Sequence, residues 1–159
     1  MTLEDLEAEY EIRRVLGRYS HAVDRRDNEL LRSCYHPDAH DEHMSYSGGV
    51  EGFIESLNQN PGRFSMRFHH MGPPRIEISG DVAAVETYCT SSHITTRDTD
   101  GLERVWILWL RYEDRFEKRN GEWRIADRVC RFEGDVTLPA SATLIPPDKR
   151  QDLHNAAPS

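Results

Sequence analysis

The stretch "MRFHHMG", residues 66–72, sets two imidazoles side by side ahead of a Gly-Pro-Pro break. Imidazole is the side chain that gains and loses a proton near neutral pH, so either ring could serve as general base or acid. A strand sends successive side chains to opposite faces, so at most one of His69 and His70 can face a cavity. A bulge at Gly72-Pro73-Pro74 would exchange them. His36, His40 and His43, interleaved with Asp38, Asp41 and Glu42, raise the thought of a metal site. The run has neither a helical His-x-x-x-His face nor a closed ligand set, so it reads as a solvated loop. Cys34, Cys89 and Cys130 are odd in number, have no CxxC spacing and sit in apolar segments, which predicts reduced, buried thiols.

Length and charge bound the rest. At 159 residues the chain suits one domain with a real core. The 28 acidic against 20 basic residues give a net charge of −8, spread along the chain. Phosphate attraction has no source in such a surface, which argues against nucleic acid as a partner. No stretch reaches bilayer length and "MTLEDLEAEYEIRRVLG" is not a secretion leader, so a cytoplasmic protein without membrane partners is expected.

The candidate imidazoles need elements to hold them. Thr2 and Asp5 form a capping-box pattern, and Leu6, Ile12, Val15, Leu16, Tyr19 and Val23 recur at helical spacing, predicting a helix over 3–23. Asn28 is placed to cap a second helix through "ELLRSCY", which His36-Pro37 ends. "DAHDEHMSYSGG" reads as an irregular strand closed by a glycine turn, and Phe53, Ile54 and Leu57 as a short third helix. The remainder is strand: "SMRFHHMG", "PRIEIS", "VAAVETYCTSSHITT", "ERVWILWLRYEDRFEKR" and "EWRIADRVCRFEG", with turns at "GD", "DTDG" and Asn120-Gly121. Helices first and hairpin-linked strands after predict an α+β fold, a curved antiparallel sheet wrapped over the first helix. The strand "ERVWILWLRYEDRFEKR" is apolar on both faces for much of its length, with Trp106, Leu108, Leu110, Tyr112 and Phe116 on one and Val105, Ile107 and Trp109 on the other. One face meets the core and the other is an expected oligomer interface.

Four phrases in this order, "YSHAVDRRD", "SCYHPDAHDEH", "FHHMGPPRIEISGDVAAVETY" and "YEDRFEKRNGEWRIADR", resemble the SnoaL-like branch of the nuclear-transport-factor-2-like superfamily. The resemblance implies a cone-shaped α+β barrel over residues 1–137 with a blind apolar pocket, and leaves 138–159 as a Pro-rich tail or lid. Lyases of that superfamily, such as scytalone dehydratase, a bile-acid 7α-dehydratase and hexachlorocyclohexane dehydrochlorinase, pair a carboxylate at the end of helix one with a histidine on the sheet. On that likeness Asp24 is the carboxylate and His69 the histidine, with His70 as outward neighbour or, if the strand is bulged, a substrate contact. The likeness also implies His93 as a second catalytic histidine and Tyr19, Tyr46 and Arg128 as substrate contacts, with no cofactor and no metal.

The dyad has a physical case of its own: a buried carboxylate fixes the tautomer of a neutral imidazole and stabilises the imidazolium formed when it takes a proton. Each residue also has a structural reading, with Asp24 as a helix end, Tyr19 as core, and Tyr46, His93 and Arg128 bonded to neighbouring backbone or carboxylates. Pro73, where many SnoaL-like sequences carry asparagine, removes one side-chain hydrogen bond. The expectation is a cofactor-independent lyase or isomerase for an apolar aromatic, polycyclic or steroid-like substrate, acting as a homodimer or homotrimer. The alternative is a non-catalytic binding or accessory subunit, like the small chain of ring-hydroxylating dioxygenases.

Overall fold

The computed structural model describes residues 2–60, 62–95 and 101–140. Helix α1 (Leu3–Arg25) starts on the expected capping box: the Thr2 side chain accepts from the Asp5 N–H at 3.1 Å and Asp5 accepts from the Thr2 N–H at 2.7 Å. Ala8, Ile12, Val15, Leu16, Tyr19, Ala22 and Val23 form one fully covered stripe. Helix α2 (Asn28–Ser33) is capped by Asp27, whose carboxylate accepts from the Leu30 N–H at 3.0 Å. The cap therefore lies one residue before the expected Asn28; both side chains can cap, and the ionised one takes the role.

The expected irregular strand is a hairpin of β1 (Tyr35–His43) and β2 (Tyr46–Gly49), with a register shift against the last strand between Tyr35 and His40, and α3 (Val50–Asn58) follows it directly. Then come β3 (Phe64–Met71), β4 (Arg75–Ser79), β5 (Val82–Thr95), β6 (Arg104–Arg119) and β7 (Glu122–Pro139). The strands form one seven-stranded sheet in the order β2-β1-β7-β6-β5-β3, with β4 sharing the β5 edge with β3. Asn120 and Gly121 both have positive φ, 53° and 85°, between the paired Arg119 and Glu122, as a two-residue hairpin loop requires. The "DTDG" turn and the tail with its lid role fall mainly on residues 96–100 and 141–159, outside the described residues.

One pairing corrects the all-antiparallel expectation: β1 runs parallel to β7. The two strands are joined through most of the chain, so no turn residue announces their pairing. The sheet is mixed and the class remains α+β.

Register shifts between Trp109 and Leu110 and between Arg115 and Phe116 mark bulges in the β6–β7 ladder. Bulges add bend and twist, and here they curve the sheet over α1. On the concave side Leu108, Leu110, Tyr112 and Phe116 meet the stripe of α1. On the convex side Phe68, Tyr88, Trp109 and Phe132 stand exposed. Cys34, Cys89 and Cys130 are buried free thiols. Among the described residues no helix is long and apolar enough to cross a membrane.

Candidate active site

Asp24 lies on the last turn of α1, about 100° round the helix from the buried Val23, on the flank that packs against β3. It reaches inward without any fraying of the helix. Strand β3 alternates, so Arg67, His69 and Met71 are partly buried while Phe68 and His70 are exposed. His69 donates twice to Asp24: the ring Nδ1–H to Oδ1 at 2.7 Å and the backbone N–H to Oδ2 at 3.1 Å. The carboxylate thus fixes both the position of the strand and the tautomer of the ring, leaving Nε2 as a lone-pair nitrogen.

That nitrogen faces Ser91 on β5, whose Oγ lies 3.1 Å from His69 Nε2 and 2.6 Å from His93 Nε2. A hydroxyl has one proton, so if Ser91 donates to His69, His93 must donate its Nε2–H to Ser91. This assignment follows from the network. It leaves the buried His93 Nδ1 without a partner. Burial, helped by the positive charge of Arg67 and Arg63 and by His69 whenever that ring carries a proton, pushes His93 down to about 3. His93 is therefore a neutral ring whose one N–H is already engaged.

These groups open onto a cavity of about 330 Å³ between the sheet, α1 and α3, a volume within the range of small-molecule pockets. Its apolar wall includes Val23, Phe53, Phe64, Trp106, Leu108 and Leu110. Tyr19 and Tyr46 both line it. The Tyr46 hydroxyl donates to the Gly49 carbonyl at 2.5 Å, and its ring fits because Gly52, where a Cβ would strike that hydroxyl, has none. Among the described residues the fully buried Tyr19 hydroxyl has no hydrogen-bond partner, and burial pushes its pKa well above the ordinary phenol value.

Two expected contacts are placed elsewhere. His70 points to the convex face, beside Tyr88 and Trp109, because β3 keeps its pleat through that position and the Pro pair follows only after Met71. Arg128 points inward but is sealed off from the cavity. Its guanidinium lies 4.0 Å from the Tyr19 ring centre and 4.4 Å from that of Tyr112, and it donates to both oxygens of Asp114. It supports the cavity floor from behind.

The structure adds a pair that the solvated-loop reading missed. His43 lines the cavity, stacked on Phe53 at 4.8 Å, and its Nδ1 lies 3.4 Å from Oδ1 of the fully buried Asp41, an ion-pair contact longer than a good hydrogen bond. Asp41 also accepts from the Tyr35 hydroxyl at 2.6 Å. The odd positions Ala39, Asp41 and His43 all turn inward, and that alternation was the available signal. Burial drives His43 toward neutrality, yet Asp41 and the Cys130 sulfur outweigh it and hold the ring at about 9. The charges agree, since Asp41 and Asp114 oppose only Arg128 in this buried cluster, and a protonated His43 makes it neutral.

A pH test follows. Because the folded value lies above the unfolded 6.5, the contribution of His43 to stability is complete below pH 6.5 and is lost as pH rises through about 9. Urea midpoints measured over that interval should fall in the native chain and fall less in His43→Gln. Parallel curves would show that His43 does not carry the charge.

Residues 4–129 match the SnoaL-like domain. The chain belongs to that family. An uncharacterized protein of Mycobacterium tuberculosis is 27% identical over 133 residues, 81% of this chain and 88% of that one. The fold of this SnoaL-like chain is similar to a putative scytalone dehydratase from Novosphingobium aromaticivorans, with TM-score 0.76 and 22% identity over 89% of this chain and 94% of that one. It is also similar to a type 3 hexachlorocyclohexane dehydrochlorinase from Novosphingobium barchaimii, with TM-score 0.76 and 20% identity over 91% and 98%. The family match bears out the SnoaL-like resemblance of the sequence, and the solved structures share its fold.

Proposed function

We propose that this SnoaL-like protein is a cofactor-independent lyase or isomerase that removes a proton from a ring-containing small molecule, with His69 as general base and Asp24 as its orienting partner. The observation that carries the reading is the doubly hydrogen-bonded Asp24–His69 pair, whose imidazole lines a cavity with an apolar wall on its other side. A substrate C–H displaces the Ser91 hydroxyl from His69 Nε2, the ring takes the proton, and Asp24 stabilises the imidazolium at 2.7 Å. His43, held protonated by Asp41, is the donor for a departing oxygen or halide from the β1 side of the cavity. Support comes also from the names of two fold neighbours, a dehydratase and a dehydrochlorinase, both of which denote eliminations.

A second reading, a non-catalytic binding or accessory subunit, is favoured by the convex face, where Trp109 is 47% and Phe132 50% exposed. The same face is where a homo-oligomer of this chain would assemble.

The test is a panel of bicyclic β-hydroxy ketones and halogenated rings incubated without added cofactor and followed by mass spectrometry. The expected result is loss of water or hydrogen halide from at least one member. Tight binding with every member unchanged, together with co-purification with a larger oxygenase chain, would replace the lyase with the accessory reading.

A further inference from the structure

Among the described residues the cavity lining contains His43, Arg63, Arg67, His69 and His93 but no aspartate or glutamate. This is unexpected in a chain of net charge −8, where arginines of the sheet find acids readily. Arg111 meets Glu86, Glu113 and Glu133, while Arg115 pairs with Asp127 and Arg119 with Asp38. Among the described residues neither Arg63 nor Arg67 has a carboxylate partner.

The half-buried Arg67 gives one N–H to the Leu57 carbonyl at 2.9 Å, while its Nε is buried and unpartnered. Arg63 stands exposed at the rim, its guanidinium 4.9 Å from the Phe64 ring centre and 5.5 Å from that of Trp106. Arg26 adds a third positive charge nearby, donating to the Phe64 carbonyl at 3.0 Å. The acid facing this group is Asp24, and both its oxygens already accept from His69. Clustered guanidiniums repel one another, and a buried donor without an acceptor carries a desolvation cost. A carboxylate relieves both, because its two oxygens match the fork of an arginine.

We propose that the natural ligand is an anionic ring compound whose carboxylate seats against Arg67 and Arg63 while its ring lies on Phe64, Trp106 and Leu108. The Gln59 and Asn60 amides at the same rim supply further donors, and the arginines set the ring's orientation relative to His69. This inference rests on the cavity that the lyase reading assigns as active site and names its substrate class, but it is tested by binding alone.

Calorimetry with 1-naphthoate and the neutral 1-naphthamide separates charge from shape. The native chain should bind naphthoate at least about tenfold more tightly at low ionic strength, and added salt should narrow the gap. Arg67→Gln, and Arg63→Gln at the exposed rim in case the first variant folds poorly, should each lose most of the preference while naphthamide binding stays put. Arg67→Lys should keep part of it. Equal or tighter binding of naphthamide, no binding of naphthoate, or a preference that survives in the double Gln variant would overturn the proposal. His69→Gln should keep the preference, so failure of the lyase chemistry would leave this result standing, and the reverse.

Discussion

Asp114→Ala is expected to destabilise the chain by about 3–5 kcal/mol, the usual result of stranding one partner of a buried ion pair. Both side chains are fully covered, and Arg128 Nε and Nη2 donate to the two carboxylate oxygens at 2.7 and 2.6 Å. Burial pushes the Asp114 carboxyl upward, and Arg128 pulls against it. Without the carboxylate, a guanidinium remains between two tyrosine rings with no counter-charge of its own, and it cannot shed its proton. The cost should appear as a lower urea midpoint at unchanged slope or as failure to fold. The double variant Asp114→Ala with Arg128→Met should regain part of the loss, because an apolar side chain of similar volume replaces a stranded charge. A single variant within about 1 kcal/mol of the native chain would show that the pair is not the anchor its geometry indicates. The anchor reaches the cavity through Tyr19, which packs on Arg128 on one side and lines the ligand space on the other.

What the sequence showed and what it hid have physical causes. Periodicity marks α1 because seven covered positions recur at helical spacing, and Asn120-Gly121 marks its hairpin because few residue pairs accept two positive φ angles. Strand parity set His69 and His70 on opposite faces and the family resemblance chose His69 as the inward one, and β3 has no bulge between them to exchange the two. The solvated-loop reading failed at β1 because the inward positions include an aspartate and a histidine, and a pattern defined by apolar residues misses an inward face made of polar ones. The resemblance implied Arg128 as a substrate contact, but it lies sealed off behind the cavity. The bulge at Arg115/Phe116 sets an extra residue into β7, so the inward positions change from Trp123 and Ile125 to Arg128 and Cys130. The parallel β1–β7 pairing and the lack of acids among the described lining residues of the cavity arise from segments distant in the chain, and neither has a local signature.

His69→Gln should lower turnover of whichever panel compound the native chain converts by roughly 10²–10⁴-fold, the range that a placed general base supplies. Glutamine fills similar space and can still meet Asp24 and Ser91, so the cavity and its ligand affinity should persist while the proton acceptor is gone. Asp24→Asn probes a different quantity. The amide oxygen can still receive the Nδ1–H, but the negative charge opposite the developing imidazolium disappears, and the amide N–H₂ cannot accept from the His69 backbone. The loss should therefore fall on kcat with KM little changed, because the missing interaction strengthens only as the proton is transferred. If both variants turned over substrate at native rates with the native far-UV spectrum, the base would lie elsewhere in the cavity. If Asp24→Asn lost its fold while His69→Gln did not, Asp24 would be chiefly the peg that ties β3 to α1. The two N–H bonds to one carboxylate make both roles physical, and the separation of kcat from the urea midpoint tells how much of each it performs.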